Sequence, residues 1–280
     1  VVEVKIRVGT RGSPLALIQT RAVIEKIKRV DPAVETEIVV IKTAGDMGKR
    51  KLGAFVNEIN RAVLNGVVDI GVHSLKDLPV ALPSGLELIC IPERLPPNDA
   101  LVSKEGLDFW SLPEGAVIGT SSMRRKLELK SLRPDLEFVD IRGNINTRIE
   151  KMEDGVCDAI VVGLAALRRL GFERKVSTVF DFDEVVPAAG QGAVAVTARE
   201  KDIPEIVREI NEKISMQETS LEREVLRKMG GGCRSGVGVV CQKRGRKWHL
   251  WVAFHRRGRR VLKIAARNPA ELAGKVGEML

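Results

Sequence analysis

The chain has 280 residues, 44% of them apolar and 30% charged, with 26 glycines and 12 prolines. That balance excludes disordered, collagen-like and low-complexity classes, and at about 100–200 residues per domain it predicts more than one domain. The net charge is +9, from 46 Lys+Arg against 37 Asp+Glu, yet the segment from Lys243 to Arg267 holds basic residues and no acid, so the basicity sits at the C-terminus. No apolar run reaches the ~18 residues of a membrane span, and Val1–Val8 lacks a secretory pattern, so the expectation is a cytoplasmic protein.

In chain order, Lys5–Val8 reads as a strand, followed by Gly9-Thr10-Arg11-Gly12. Ser13 is placed to cap a helix with Pro14 at its first position, running to about Arg29. Further strands are predicted at Glu37–Ile41, Val67–Val72 and Leu86–Ile91, with a helix over Gly53–Leu64 that sets Phe55, Ile59 and Val63 on one face. The Pro-rich stretch from Pro92 to Asp99 reads as a linker. A second unit repeats the pattern: strand Ala116–Ile118, helix from about Ser122, strand Glu137–Ile141, helix from about Thr147, strand Asp158–Val162, helix Leu164–Leu170. The apolar end of the Gly-rich run Pro187–Val196 is a candidate strand for the first sheet. Beyond it, Ser215 and Glu218 read as a capping box for a helix with Leu221, Val225 and Met229 in one stripe. Strands Val237–Cys241, Trp248–His255 and Arg259–Ala266, then a helix capped by Asn268, form a small α+β unit. Strands alternating with helices predict an α/β fold on largely parallel sheets.

Cations recur at the carboxyl ends of the predicted strands: Arg11, Lys76, Arg124 with Arg125, Arg142 with Arg148, and Arg168 with Arg169. Ligands of open α/β sheets bind at those ends, where helix N-termini add free N–H groups, and Ser13, Ser121, Ser122 and Thr147 could add hydroxyl donors. A solvated charge explains any one Arg equally well. Repeated at five strand ends, the pattern points instead to a cleft for a small molecule with several carboxylates or phosphates, which the guanidinium fork suits. Asp77 is the lone acid in HSLKDLP (His73 to Pro79), where it could hold a cationic intermediate or move a proton; an isolated Asp is more often a cap or turn residue. Cys233, in GGGCRSG beside Arg234, reads equally as an inert loop thiol or a covalent attachment point. The cysteine and histidine spacings give no metal pattern, and no phosphate-loop or dinucleotide signature is present.

TRGSPLAL (Thr10 to Leu17), HSLKDLP, GTSSMRR (Gly119 to Arg125), RGNINTR (Arg142 to Arg148), GQGA (Gly190 to Ala193) and the GGGC ending at Cys233 together resemble the hydroxymethylbilane synthase, or porphobilinogen deaminase, family. The resemblance implies two periplasmic-binding-protein-like α/β domains with a cleft between them and a small C-terminal α+β domain. The boundaries are 1–91 with 193–210, 97–187, and 215–280. It implies a transferase of porphyrin and heme biosynthesis that joins four porphobilinogen molecules head to tail, releasing ammonia, on a dipyrromethane cofactor bound covalently to Cys233. By the same resemblance Asp77 is the catalytic carboxylate, steadying positive charge after ammonia leaves. Lys76, Ser122, Arg124, Arg125, Arg142 and Arg169 are cofactor-binding, and Arg11, Ser13, Phe55, Arg148 and Gln191 substrate-binding. The implied partners are porphobilinogen and the growing pyrrole chain, with no metal, membrane or specific nucleic acid, and the chain is expected to act as a monomer. Two positions depart from the family pattern: Leu52 stands where many members carry Lys before Gly53-Ala54-Phe55, and Gly236 where a Pro is common.

Two other readings compete. A non-catalytic anion-binding protein of the periplasmic class would share the fold but needs neither Cys233 nor Asp77. A nucleic-acid surface on the basic C-terminal strands would use Trp248, Trp251 and Phe254 as stacking platforms. Strand parity puts Trp248 and Phe254 on one face and Trp251 on the other, so at least one set is predicted to be core.

Overall fold

Short β-branched strands and amphipathic helices cannot bury their apolar faces alone, and this chain solves the problem with three sheets. The computed structural model describes residues 5–45, 55–230, 236–255 and 258–279. It divides into two units, residues up to Arg94 with Ala193–Gln217, and Leu95–Gly192 with the residues from Glu218 onward.

In the first unit β1 (Lys5–Thr10) leads into α1 (Pro14–Val30), with Ser13 Oγ accepting from the Ala16 N–H at 3.4 Å and Pro14 at the first position, as predicted. β2 (Glu35–Val40), α2 (Asn57–Leu64), β3 (Ile70–Ser74) and β4 (Leu86–Arg94) follow. α2 begins later than predicted, with Phe55 ahead of it; Gly53 and Ala54 lie outside the described residues. β3 also starts late, because the N–H groups of Val67 and Val68 both go to the Ala62 carbonyl at the end of α2.

The predicted linker holds in its middle: residues 95–98 connect the two units without regular structure, while its two ends belong to strands. β4 continues through Pro92, which a sheet edge with a register shift tolerates because the missing N–H is not needed there. β5 (Asp99–Ser103) begins at the linker's last residue and opens the second unit. There β6 (Val117–Gly119), α3 (Met123–Leu132), β7 (Glu137–Val139), α4 (Ile145–Glu153), β8 (Ala159–Gly163), α5 (Leu164–Arg169) and β9 (Thr178–Val179) alternate. α4 starts earlier than predicted because Asn144, not Thr147, is the cap: its side chain accepts from the Thr147 N–H at 3.0 Å. β10 (Ala193–Arg199) returns to the first sheet between β3 and β4, antiparallel to both.

The two five-stranded sheets share one design. Their orders are β2-β1-β3-β10-β4 and β7-β6-β8-β5-β9, each a parallel trio followed by one antiparallel strand. Both are α/β units. Ile6, Val8, Val23, Ile27, Ile70 and Val72 pack α1 on the first sheet. Leu101, Phe109, Ile118, Leu129, Val161 and Phe180 fill the corresponding layer of the second.

After α6 (Glu205–Glu209) comes α7 (Lys213–Lys228), then the antiparallel sheet of β11 (Gly238–Arg244), β12 (Lys247–His255) and β13 (Arg259–Ala266), and α8 (Pro269–Met279). The predicted capping box is not used. Glu212 accepts from the N–H groups of Ile214 and Ser215, whereas Glu218 reaches across to the Lys243 N–H at 2.8 Å. Asn268 caps α8 through the Glu271 N–H, as predicted. Both indoles are buried: Trp248 packs with Leu221, Val225 and Leu272, and Trp251 on the opposite face packs edge-on against Phe182. Neither is a stacking platform for bases.

Glu222 of α7 is fully buried, and its carboxylate accepts from the Gly190 N–H at 2.7 Å and the Cys241 N–H at 2.8 Å. Replacing it by Ala leaves two buried donors unpaired. Glu222→Ala is expected to lower stability by about 3 kcal/mol, read as a lower urea midpoint at unchanged m, with Glu222→Gln losing roughly half as much.

Candidate functional site

In the first unit, the carboxyl ends of β1 and β3 and the start of α1 enclose a cavity of about 90 Å³. Arg11, Ser13, Phe55, Lys76 and Asp77 all line it, so five of the predicted site residues meet there. Arg11 follows β1, and its guanidinium lies over the Phe55 ring at 4.2 Å from the centroid, a cation–π contact that orients both side chains. Lys76 and Asp77 lie on a single 3₁₀ turn, Leu75–Asp77, directly after β3. Leu75 is buried and anchors the turn, leaving the two charged side chains half-buried at the cavity. One carboxylate among two cations and apolar walls can take carboxylates of a ligand on the cations while Asp77 accepts from its N–H groups.

Gln19, Ser74 and His73 also line the cavity, and none belongs to the predicted set. Ser74 Oγ donates to Gln19 Oε1 at 3.1 Å. His73 sits within the quoted HSLKDLP motif, so its position was visible although its role was not. Its Nε2 lies 3.2 Å from Thr197 Oγ1, and Thr197 donates to the Gly71 carbonyl at 3.4 Å. His73 and Thr197 are thus hydrogen-bonded to each other within the core. Burial pushes its pKa down to about 3, so the imidazole stays neutral at the base of the cavity.

In the second unit the cations surround Asp99, whose carboxylate is fully buried. Arg125 donates to Oδ1 through Nε at 3.0 Å and Nη2 at 2.7 Å, and Gln191 Nε2 donates to the same oxygen at 2.8 Å. Arg124 Nη2 pairs with Oδ2 at 2.7 Å while its Nη1 donates to the Val186 carbonyl at 2.8 Å. Burial alone would raise the Asp99 pKa, but Arg124 and Arg125 hold it well below the usual carboxylate range. Asp99 is not among the sequence-predicted site residues, because it ends the Pro-rich stretch that reads as a linker. The usable signal was the adjacent Arg124 and Arg125: two buried guanidiniums require a buried carboxylate.

α3 delivers that pair. Ser122 caps it by accepting from the Arg125 N–H at 3.4 Å. Gln191 is fixed by the glycine that follows it: Gly192 has φ +86°, and a Cβ there would come within 2.2 Å of the Leu95 carbonyl oxygen. Arg169, on α5, donates through Nη2 to the Gly192 carbonyl at 3.0 Å. Arg142 is exposed just before α4, and Arg148 on its first turn donates from Nε to the Gly143 carbonyl at 2.9 Å. Ser121 and Thr147 turn their hydroxyls to local acceptors, Ile141 O and Asn144 Oδ1, and Arg168 makes an exposed ion pair with Glu173.

Cys233 and Leu52 lie outside the described residues. Gly236 has φ +65°, with Leu127 Cδ1 only 2.9 Å from where a Cβ would stand. Proline is fixed near −65° and could not occupy that position. Cys90, Cys157 and Cys241 are buried thiols, and burial pushes the Cys90 pKa up to about 12. Among the described residues no group of three His, Cys, Asp or Glu is placed to hold a metal ion.

A family model described as porphobilinogen deaminase, dipyromethane cofactor binding domain, matches residues 6–206. The porphobilinogen deaminase of Caldicellulosiruptor saccharolyticus is 41% identical over 289 residues, covering 99% of each chain. That of Syntrophus aciditrophicus is 42% identical over 249 residues, covering 86% of this chain and 81% of its own. That of Carboxydothermus hydrogenoformans is 37% identical over 283 residues, covering 98% and 91%.

His73 makes stability depend on pH in a calculable way. Between pH 6.5 and about 3 the unfolded chain binds a proton at this residue and the folded chain does not, so stability falls as pH falls through that window. His73→Gln keeps a hydrogen-bond partner for Thr197 and removes the titration. It is expected to reduce the stability lost between pH 7.5 and pH 5 by about 2 kcal/mol, measured by urea unfolding at the two pH values.

Proposed function

This chain belongs to the porphobilinogen deaminase family, and we propose that it joins four porphobilinogen molecules head to tail into hydroxymethylbilane, with Asp77 as the catalytic carboxylate. The observation that carries the assignment of Asp77 is its place with Arg11 and Lys76 around one cavity at the carboxyl ends of β1 and β3. A merely anion-binding protein has no use for a carboxylate in that position.

The family's dipyrromethane group fits the residues present. Arg124, Arg125 and Asp99 form a buried cluster of two guanidiniums and one carboxylate, a net positive charge that a ligand carboxylate would neutralise. Arg142, Arg169, Lys76 and Ser122 supply further donors for its acetate and propionate groups. When bound, the cofactor supplies a pyrrole carbon as the acceptor for the first substrate unit and an anchor through a thioether to Cys233.

The chain's own residues then have separable tasks. Arg11, with Ser13 and Arg148, binds substrate carboxylates, and Phe55 holds the Arg11 guanidinium over its ring. Gln191 serves substrate binding by keeping Arg125 and Asp99 in register. Asp77 accepts from pyrrole N–H groups and stabilises the positive charge that develops on the substrate as ammonia departs. Neutral His73 adds no competing charge beneath it.

We further infer a cytoplasmic, monomeric enzyme that needs no metal, with 215–280 as a domain carrying Cys233. Among the described residues no helix is long and apolar enough to cross a membrane.

Intact-mass measurement tests the reading. The native protein is expected to exceed its polypeptide mass by two linked pyrroles and to colour with Ehrlich's reagent, and Cys233→Ala to lose both. Asp77→Asn is expected to keep the added mass but lose about 100-fold or more in turnover, since it removes the charge and not the binding cations. A native protein that neither carries pyrroles nor gains mass with porphobilinogen would refute the assignment. Activity is expected to survive dialysis against EDTA.

A further inference from the structure

One buried charge has no part in the reaction outlined above. Glu128 lies on α3 one turn beyond Arg124 and Arg125 and is fully buried. Its Oε2 accepts from Arg259 Nε of β13 at 2.8 Å. His255 Nε2, at the end of β12, lies 3.6 Å from Oε1, and neither of those two atoms has a hydrogen-bond partner among the described residues. The Arg259 guanidinium also donates through Nη2 to the carbonyls of Glu184 at 2.7 Å and Asp183 at 3.1 Å. Two residues further on, the Val186 carbonyl accepts from Arg124. The C-terminal sheet, the 183–186 segment and α3 are thus closed into one ring of charge-assisted bonds that runs on to Asp99.

The arrangement has a competition built into it. Glu128 stands four residues beyond Arg124 on α3, at the spacing that puts both on one face of the helix, and Arg124 is the guanidinium held at Asp99. A buried carboxylate must be paired, and Arg259 is the cation that pairs it. We infer that Glu128 and Arg259 are positioning residues: Arg259 satisfies Glu128 from the C-terminal sheet, which leaves Arg124 on Asp99 and aims Arg124 and Arg125 at ligand carboxylates. This inference rests on the proposed role of the α3 arginines in cofactor binding. The ring contains three guanidiniums and two carboxylates, so the single excess cation available to a ligand is retained only while Arg259 remains.

A double-mutant cycle separates positioning from simple bracing. Arg259→Met strands Glu128, draws Arg124 away from Asp99, and is expected to lower kcat/KM for porphobilinogen by about 10- to 100-fold. Adding Glu128→Gln removes the competitor, so the double variant is expected to recover to within about threefold of Glu128→Gln alone. A clamp that only braces the sheet predicts the reverse, a double variant no better than Arg259→Met. A second readout needs no activity: the ¹⁵N-detected Nε–H resonance of Arg125, bonded to Asp99, is expected to shift in Arg259→Met and return in the double variant. Wild-type kinetics and an unmoved resonance in Arg259→Met would overturn the inference, as would absence of rescue. If the wild-type protein consumed no porphobilinogen, the functional reading would fail, and the Arg125 resonance would still decide whether the coupling exists.

Discussion

Burying Asp99 between Arg124 and Arg125 is the constraint on which the second unit depends. A carboxylate with no exposure is stable only if opposite charges and hydrogen bonds replace its water, and both guanidiniums and Gln191 are committed to that. Each partner is delivered by a different stretch of chain: β5 brings Asp99, the first turn of α3 brings the arginines, and the turn before Gly192 brings Gln191. A shift in any one would leave a buried charge unpaired, so the cluster fixes the relative placement of three elements. It also leaves a positive charge over, which is how a structural network becomes a binding surface.

The cavity of the first unit inverts that arrangement. There the cations, Arg11 and Lys76, flank a single half-buried carboxylate. The fully buried group is a neutral imidazole, kept so by loss of hydration. The charged side chains of this cavity are half-buried, whereas Arg124, Arg125 and Asp99 are buried together. The difference suits a division of labour between a group that meets changing positive charge and groups that hold fixed carboxylates.

The periodicity of the sequence made both α/β units legible, down to the Ser13 cap, and the Asn268 cap of the C-terminal helix as well, because a cap signal and an amphipathic stripe are local properties. It failed where tertiary partners replaced local ones. Pro92 looked like a break, yet an edge strand with a register shift accommodates it. Ser215 and Glu218 had capping-box spacing, yet Glu212 performs the cap and Glu218 pairs with β11. The cavity residues were readable because they cluster in short motifs at strand ends. Asp99 was not, since nothing local distinguishes a buried counter-charge from a turn Asp; only the partners brought by folding do.

The helix termini give an independent physical reason to expect an anionic ligand. A helix N-terminus carries partial positive charge, so acids in the first turn are stabilising and cations are not. α2, α6 and α8 follow the rule with Glu58, Glu205 and Glu271, and α7, with no acid in its first turn, has Glu212 just before it accepting from the Ser215 N–H. The helices that follow β1, β6, β7 and β8 do not: α1, α3, α4 and α5 have no acid in the first turn, and α3 and α4 place Arg124, Arg125 and Arg148 there. Each such cation costs a few tenths of a kcal/mol against the dipole and forgoes the gain an acid would have given. Helices at unrelated positions were free to adopt the stabilising choice. The same unfavourable choice repeated at the sheet ends is what a site for several carboxylates requires, because the ligand supplies the missing negative charge to the dipole and the side chain together.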